Sequence, residues 1–226
     1  MNSFAAQVHD PTLVATIDRL KAERDAVILA HYYVQPEVQA VADYVGDSFY
    51  LAKLAVDLPQ TTIVLAGVEF MGESAKLLNP DKTVLLPEPA ADCTMAHMVD
   101  KKTIDYARAR YGDDLAVVCY VNSTAEMKTW SDVCVTSSNA EKICRELPQN
   151  NLLFIPDVNL GRFVAKQVPE KHVILNNGFC PRHQRITPDE IIALEEEYSE
   201  ALVLAHPECT EEVLAEADYI GSTKGI

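Results

Sequence analysis

Short, mostly β-branched apolar runs recur along the chain with helical patterns between them. The runs are Ala26–Ala30, Thr62–Leu65, Val84–Leu86, Leu115–Val118, Leu152–Ile155, Val173–Leu175 and Leu202–Leu204. Being apolar on both faces, they predict strands buried in parallel sheets. The stretches between them predict helices over 12–23, 36–45, 49–57, 72–78, 98–110, 124–130, 138–146, 160–167, 188–198 and 210–217, several opened by Pro, Ser, Thr or Asp. Strands alternating with helices place the chain in the α/β class.

The pattern also repeats on a longer scale. Three predicted strands end in His31, Tyr120 and His206, and each end is followed twelve residues later by an aspartate, Asp43, Asp132 or Asp218. Five residues beyond each aspartate stands a hydroxyl, in the similar strings Asp43-Tyr-Val-Gly-Asp-Ser48, Asp132-Val-Cys-Val-Thr-Ser137 and Asp218-Tyr-Ile-Gly-Ser-Thr223. A second half-unit recurs as well. Ile63-Val-Leu-Ala-Gly-Val-Glu-Phe-Met-Gly72, then Ala75-Lys76, Val84 and Cys93, matches Leu152-Leu-Phe-Ile-Pro-Asp-Val-Asn-Leu-Gly161, then Ala165-Lys166, Val173 and Cys180. A period of about 87 residues is too long for a solenoid and implies a repeated α/β domain of several strands. The expected organisation is an N-terminal helix plus a first repeat over 1–111, a second over 112–198, and the start of a third over 199–226.

Charge and composition narrow the function classes. With 34 acidic against 19 basic residues the formal charge is −15, which argues against nucleic acid and acidic lipid as partners. Apolar residues make up 48% and charged residues 23%, enough apolar side chain for a core. The longest apolar run, Leu115–Val121, has seven residues, too few for a membrane span, and Met1–Gln7 lacks a basic segment followed by an apolar one. A cytoplasmic location is the expectation. Six cysteines are too few for a disulfide scaffold of this length, so thiols or metal ligands are expected.

The repeated strand ends carry groups able to bind ligands or move protons: His31 and Tyr33, Tyr120 and Asn122, His206 and Glu208. In parallel α/β units ligands bind at strand C-termini. Ser48, Ser137 and Thr223 precede predicted helices, where a hydroxyl caps the helix and also offers a donor to an anion held by exposed N–H groups. Three such ends converging would make a polycarboxylate site, whereas any one alone reads as an ordinary N-cap. Cys93 and Cys180 occupy matching loop positions suited to a metal. Cys119 and Cys134 lie in strand-like runs and Cys144 on a helix, where Cys serves as a small core residue. His183 could join Cys180 on a zinc ion, although Cys-x-x-His alone is a weak signal. No glycine-rich nucleotide string is present, and His97 and His172 carry no partner pattern.

At these residues the chain resembles the quinolinate synthases, iron–sulfur enzymes of de novo NAD biosynthesis. The resemblance rests on His31-Tyr-Tyr-Val-Gln-Pro-Glu-Val-Gln39, Asp43-Tyr-Val-Gly-Asp-Ser48, Phe70-Met-Gly-Glu-Ser-Ala-Lys76, Tyr120-Val-Asn122, Val135-Thr-Ser137, Gly178-Phe-Cys-Pro-Arg-His183, His206-Pro-Glu-Cys209 and Gly221-Ser-Thr223. It implies a pseudo-threefold arrangement of similar three-layer α/β domains with parallel sheets, the third copy incomplete here, around a 4Fe-4S cluster held by one cysteine per domain. Cys93 and Cys180 would be the first two ligands, and a third would be expected past Ile226, near position ~265 if the repeat continues. The implied reaction condenses iminoaspartate with dihydroxyacetone phosphate to quinolinate, with an open iron as Lewis acid. The resemblance gives Tyr33, His206 and Glu208 catalytic roles. It assigns the substrate to His31, Ser48, Tyr120, Val121, Asn122, Ser137, His206, Pro207, Glu208, Ser222 and Thr223. Its implied partners are the two small substrates and an L-aspartate oxidase or aspartate dehydrogenase that supplies iminoaspartate. Two other readings fit the residues: a zinc hydrolase using Cys180, His183, His206 and Glu208, and a non-catalytic dicarboxylate-binding module. Metal content separates the three.

Overall fold

Residues 10–226 are described by a computed structural model. The expectation that Met1–Gln7 carries no leader falls outside them. The described residues divide into two compact units, the first ending at Cys93 and the second beginning at Thr94.

In the first unit, helix α1 (Pro11–Glu23) starts where the Asp10 carboxylate accepts the Thr12 N–H and Pro11 supplies a preset φ. There follow β1 (Ala26–His31), α2 (Pro36–Ala40), β2 (Tyr44–Gly46), α3 (Ser48–Asp57), β3 (Thr62–Ala66), α4 (Glu69–Leu78) and β4 (Thr83–Leu85). The four strands form one parallel sheet in the order β2-β1-β3-β4. The central strands β1 and β3 are the apolar runs of the sequence, and Val27, Leu29, Ile63 and Leu65 are buried in the core with Leu51 of α3 and Phe70 of α4.

The second unit repeats the plan. Its elements are α5 (Lys101–Tyr111), β5 (Leu115–Tyr120), α6 (Ala125–Thr129), β6 (Val133–Val135), α7 (Ala140–Glu146), β7 (Asn151–Ile155), α8 (Val158–Gln167) and β8 (His172–Leu175). The sheet order is β6-β5-β7-β8, again all parallel. Every residue of β5 is buried. Val117, Cys119, Leu153 and Ile155 pack with Ile104 and Ala107 of α5. Then come α9 (Pro188–Glu197), opened by a Thr187–Glu190 capping box, β9 (Leu204–Ala205), α10 (Glu211–Ala215) and β10 (Tyr219–Ile220), the last two strands pairing in parallel. The class is α/β with parallel sheets, as the alternating pattern predicts.

The recurrent aspartate has one structural role in all three copies. The Asp43 N–H donates to the Ile28 carbonyl while its carboxylate accepts the Ile28 N–H at 2.8 Å. Asp132 does the same with Val117, at 2.7 Å, and Asp218 with Val203, at 2.9 Å. Each pins a first strand to the short strand that follows, β2, β6 or β10, none of which stands out as an apolar run. For the same reason the helix expected over 36–45 stops at Ala40: Asp43 and Tyr44 are drawn to the sheet edge.

Candidate functional site

The second unit gathers several predicted residues at strand ends. Tyr120 closes β5, and its hydroxyl donates to Glu208 Oε1 at 2.7 Å; the Asn122 amide stands 3.5 Å from the same oxygen. His206 and Glu208 follow β9 and are both buried. The Glu208 N–H donates to His206 Nδ1 at 3.3 Å, so the neutral ring carries its proton on Nε2, which faces Ser137 Oγ at 3.1 Å. Burial lowers the His206 pKa against the pull of Glu208, and the ring is neutral. The 3.8 Å approach of His206 Nδ1 to Glu208 Oε1 is therefore no ion pair.

His183, which the sequence offers only as a zinc ligand alongside Cys180, His206 and Glu208, stacks on His206 with ring centroids 5.4 Å apart. Its Nδ1 lies 3.0 Å from Glu208 Oε2, close enough for an ion pair although the N–H is not aligned on that oxygen. Burial works against charge on His183, but the Cys180 sulfur and the Glu208 carboxylate outweigh it and raise its pKa well above the histidine range. Glu208 is in turn held ionised: burial opposes its charge, and His183 and the Tyr120 hydroxyl overcome that. Ligand atoms of Cys180, His183 and Glu208 lie within 4.8 Å of one another, a set able to hold a metal ion. His206 is not in that set.

Cys180 sits on a loop that closes tightly on the end of β7. The Val158 N–H donates to the Gly178 carbonyl at 2.7 Å, and a Cβ at Gly178 would stand 2.6 Å from the Pro156 carbonyl oxygen, so only glycine lets the loop approach. Two supporting residues escaped the sequence reading. Asn159 donates to the Glu208 carbonyl at 3.1 Å. Asp157, fully buried, caps α8 through Oδ1 on the Leu160 N–H at 2.7 Å, while Oδ2 has no hydrogen-bond partner. Burial first, and the charge of Glu208 second, push its pKa up to about 7. The only sequence signal was an acid where the first repeat has Val68.

Other predicted residues stand apart from this network. Val121 is half-buried and spends its backbone on Val135 and Ser123; Pro207 is buried. Ser222 and Thr223 lie in the turn after β10, where the Ser222 carbonyl accepts the Gly225 and Ile226 N–H groups. In the first unit, His31 ends β1, buried, with Nδ1 accepting the Tyr33 N–H at 3.2 Å, as in His206. Burial lowers its pKa to about 4, with Asp47 opposing. Tyr33 is 71% exposed and packs edge-on against His31 at 4.6 Å. Ser48 begins α3 but does not cap it, because the Asp47 carboxylate takes the Tyr50 N–H at 2.8 Å. Likewise Asn139, not Ser137, is the N-cap residue of α7, which leaves both hydroxyls uncommitted to caps. Cys93 is a half-buried thiol on a loop, its N–H on the Asp92 carboxylate at 2.6 Å.

Comparison with known proteins places the chain in a family. Residues 15–226 match the family described as quinolinate synthetase A protein (NadA). A quinolinate synthase of Fusobacterium nucleatum is 57% identical over 210 residues, 93% of this chain and 70% of that protein. Those of Caldicellulosiruptor saccharolyticus and Clostridioides difficile are 49% and 48% identical, over 93% and 96% of this chain and 69% and 71% of their own lengths. The chain belongs to the quinolinate synthetase A family.

Proposed function

We propose that the chain serves quinolinate synthesis in NAD biosynthesis, condensing iminoaspartate with dihydroxyacetone phosphate. The observation that carries this reading is the coupled pair of contacts Ser137–His206 and Tyr120–Glu208 beside Cys180. Neutral His206 offers Nε2–H and Ser137 a hydroxyl, donors that hold a carboxylate without arginine. Tyr120, bonded to ionised Glu208, can pass its proton to that base, and Asn122 orients the same oxygen. Tyr33, exposed beside His31, is the candidate acid or base on the first unit. Val121, Pro207, Ser48, Ser222 and Thr223 are proposed as substrate contacts on the strength of the family resemblance.

Cys93 and Cys180 suit a 4Fe-4S cluster by chemistry: both are thiols outside any disulfide, half-buried and on loops, whereas Cys119, Cys144 and Cys209 are buried. When bound, such a cluster supplies an open iron as Lewis acid. An enzyme oxidising aspartate, an oxidase or a dehydrogenase, would supply the iminoaspartate. The Cys180, His183 and Glu208 set favours a second reading, a single cation such as zinc.

Purification without oxygen followed by iron, sulfide and zinc analysis separates the two, alongside quinolinate formation from dihydroxyacetone phosphate and enzymatically generated iminoaspartate. The expected result is iron with acid-labile sulfide, lost in Cys93→Ala and Cys180→Ala and kept in Tyr120→Phe, which loses quinolinate formation. Zinc without sulfide would replace the proposal by the second reading.

A further inference from the structure

Two cysteines outside the candidate site face each other across the second sheet. Cys119 of β5 and Cys134 of β6 are direct Cα partners in the parallel register. Neighbouring strands lie about 4.8 Å apart, within the roughly 4.4–6.8 Å between Cα atoms that a disulfide spans. Paired residues of adjacent strands direct their side chains to the same face of a sheet. The two thiols are unlike. Cys119 is fully buried and Cys134 is exposed at the sheet edge. The Cys119 S–H has two acceptors within reach, the Tyr120 carbonyl at 3.4 Å and the Cys134 sulfur.

We propose that Cys119 and Cys134 form an oxidisable dithiol, which a small-molecule disulfide such as oxidised glutathione converts reversibly into an intramolecular bridge. Cys134 reacts first. The bond from the Cys119 thiol, helped by nearby Lys128, lowers its pKa to about 7 against the effect of burial, so a large share is thiolate at neutral pH. That thiolate attacks one sulfur of the glutathione disulfide, whose S–S bond breaks and releases one glutathione. Cys119 is held as the thiol by its bond to Cys134 and by burial. Once Cys134 is in the mixed disulfide, Cys119 gives up its proton and attacks the Cys134 sulfur, expelling the second glutathione. Two protein thiols are oxidised, one glutathione disulfide is reduced to two thiols, and the two protons leave with the glutathione. Side-by-side parallel strands hold Cβ atoms somewhat farther apart than the roughly 3.5–4.5 Å a relaxed bridge prefers, so this one is strained and readily reduced. It would tie β5 to β6 one residue before Tyr120 and three before Ser137.

The test uses the full chain, reduced and kept from oxygen, incubated with oxidised glutathione, quenched in acid, alkylated and digested with trypsin. Cleavage after Arg110, Lys128 and Lys142 puts Cys119 in peptide 111–128 and Cys134 in peptide 129–142. The expected result is a linked pair lighter than the two reduced peptides by two hydrogens and separated again by dithiothreitol. Cys119→Ala should retain glutathione on Cys134, and Cys134→Ala should leave Cys119 unmodified. The proposal is overturned if the unsubstituted chain keeps glutathione on Cys134 without the linked pair, or if both peptides emerge alkylated. That reading requires no variant, so a substitution that fails to fold does not blunt it.

Discussion

His31 and His206 show one arrangement used twice. Each ends a first strand, each is buried, and each accepts on Nδ1 the N–H of the residue two places on, which leaves Nε2–H as its only donor. The common motif was legible because both strands end in His with a side chain able to move a proton two places on, Tyr33 or Glu208. Its consequence was not, since a tautomer depends on where the backbone turns. For His31 burial sets the pH behaviour. Its folded pKa, about 4, lies below the unfolded 6.5. The unfolded chain therefore binds a proton through this window and the folded chain does not. Stability is full above pH 6.5 and falls as the pH drops toward 4, by about 3 kcal/mol for this group. His31→Gln should flatten that part of the profile, read as the thermal midpoint between pH 4 and 7.5. An unchanged slope would mean that His31 is charged in the folded chain. Asp157 makes the opposite point: a fully buried acid with one oxygen unpartnered has no pattern that a single sequence displays, because its neighbours come from the loop after β8 and from Glu208.

At the scale of elements, the long buried strands and most helices could be read from the chain because their pattern is local. The strands β2, β6 and β10 could not. They are three, three and two residues long, and what makes them strands is the aspartate just before each, bonded to the backbone of a first strand 15 residues earlier. The sequence comparison found those aspartates by their spacing without revealing what they hold. Asp132 tests the role best, as its carboxylate takes the Val117 N–H at 2.7 Å in the middle of β5. The Arg108 contact at 3.2 Å is half-exposed on both sides and adds little. Asp132→Ala should cost about 1–2 kcal/mol in urea unfolding and speed hydrogen exchange at the Val117 amide. Asp132→Asn, whose amide oxygen can still accept, should lose less. Equal exchange at Val117 in all three proteins would remove the pin from the account of the sheet.

On the scale of the whole molecule, the two sheets share one strand order, and the repeat found in the sequence is a repeat of architecture. The candidate site is distributed unevenly over it. Tyr120, Asn122, Ser137, Asn159, Cys180, His183, His206 and Glu208 all belong to the second unit, and each contact described among them has both partners there. The residues after β9 supply His206 and Glu208 to a network whose other members lie between Tyr120 and His183, so the network joins the β5–β8 sheet to the chain that follows it within one unit. This predicts that a chain of residues 94–226, purified as a folded species, keeps the network intact. Its ring nitrogens should report His206 as the neutral Nε2–H tautomer and His183 as the imidazolium at pH 8, with nitrogen shifts matching those of the full chain. Tyr120→Phe in the same fragment should disturb His183 through Glu208, whereas Cys134→Ser, exposed on the edge strand β6 and a partner in none of the network's contacts, should not. Should His183 lose its charge in the unsubstituted fragment, the second unit would not suffice to build the site, and residues before Thr94 would have to be counted among its supports.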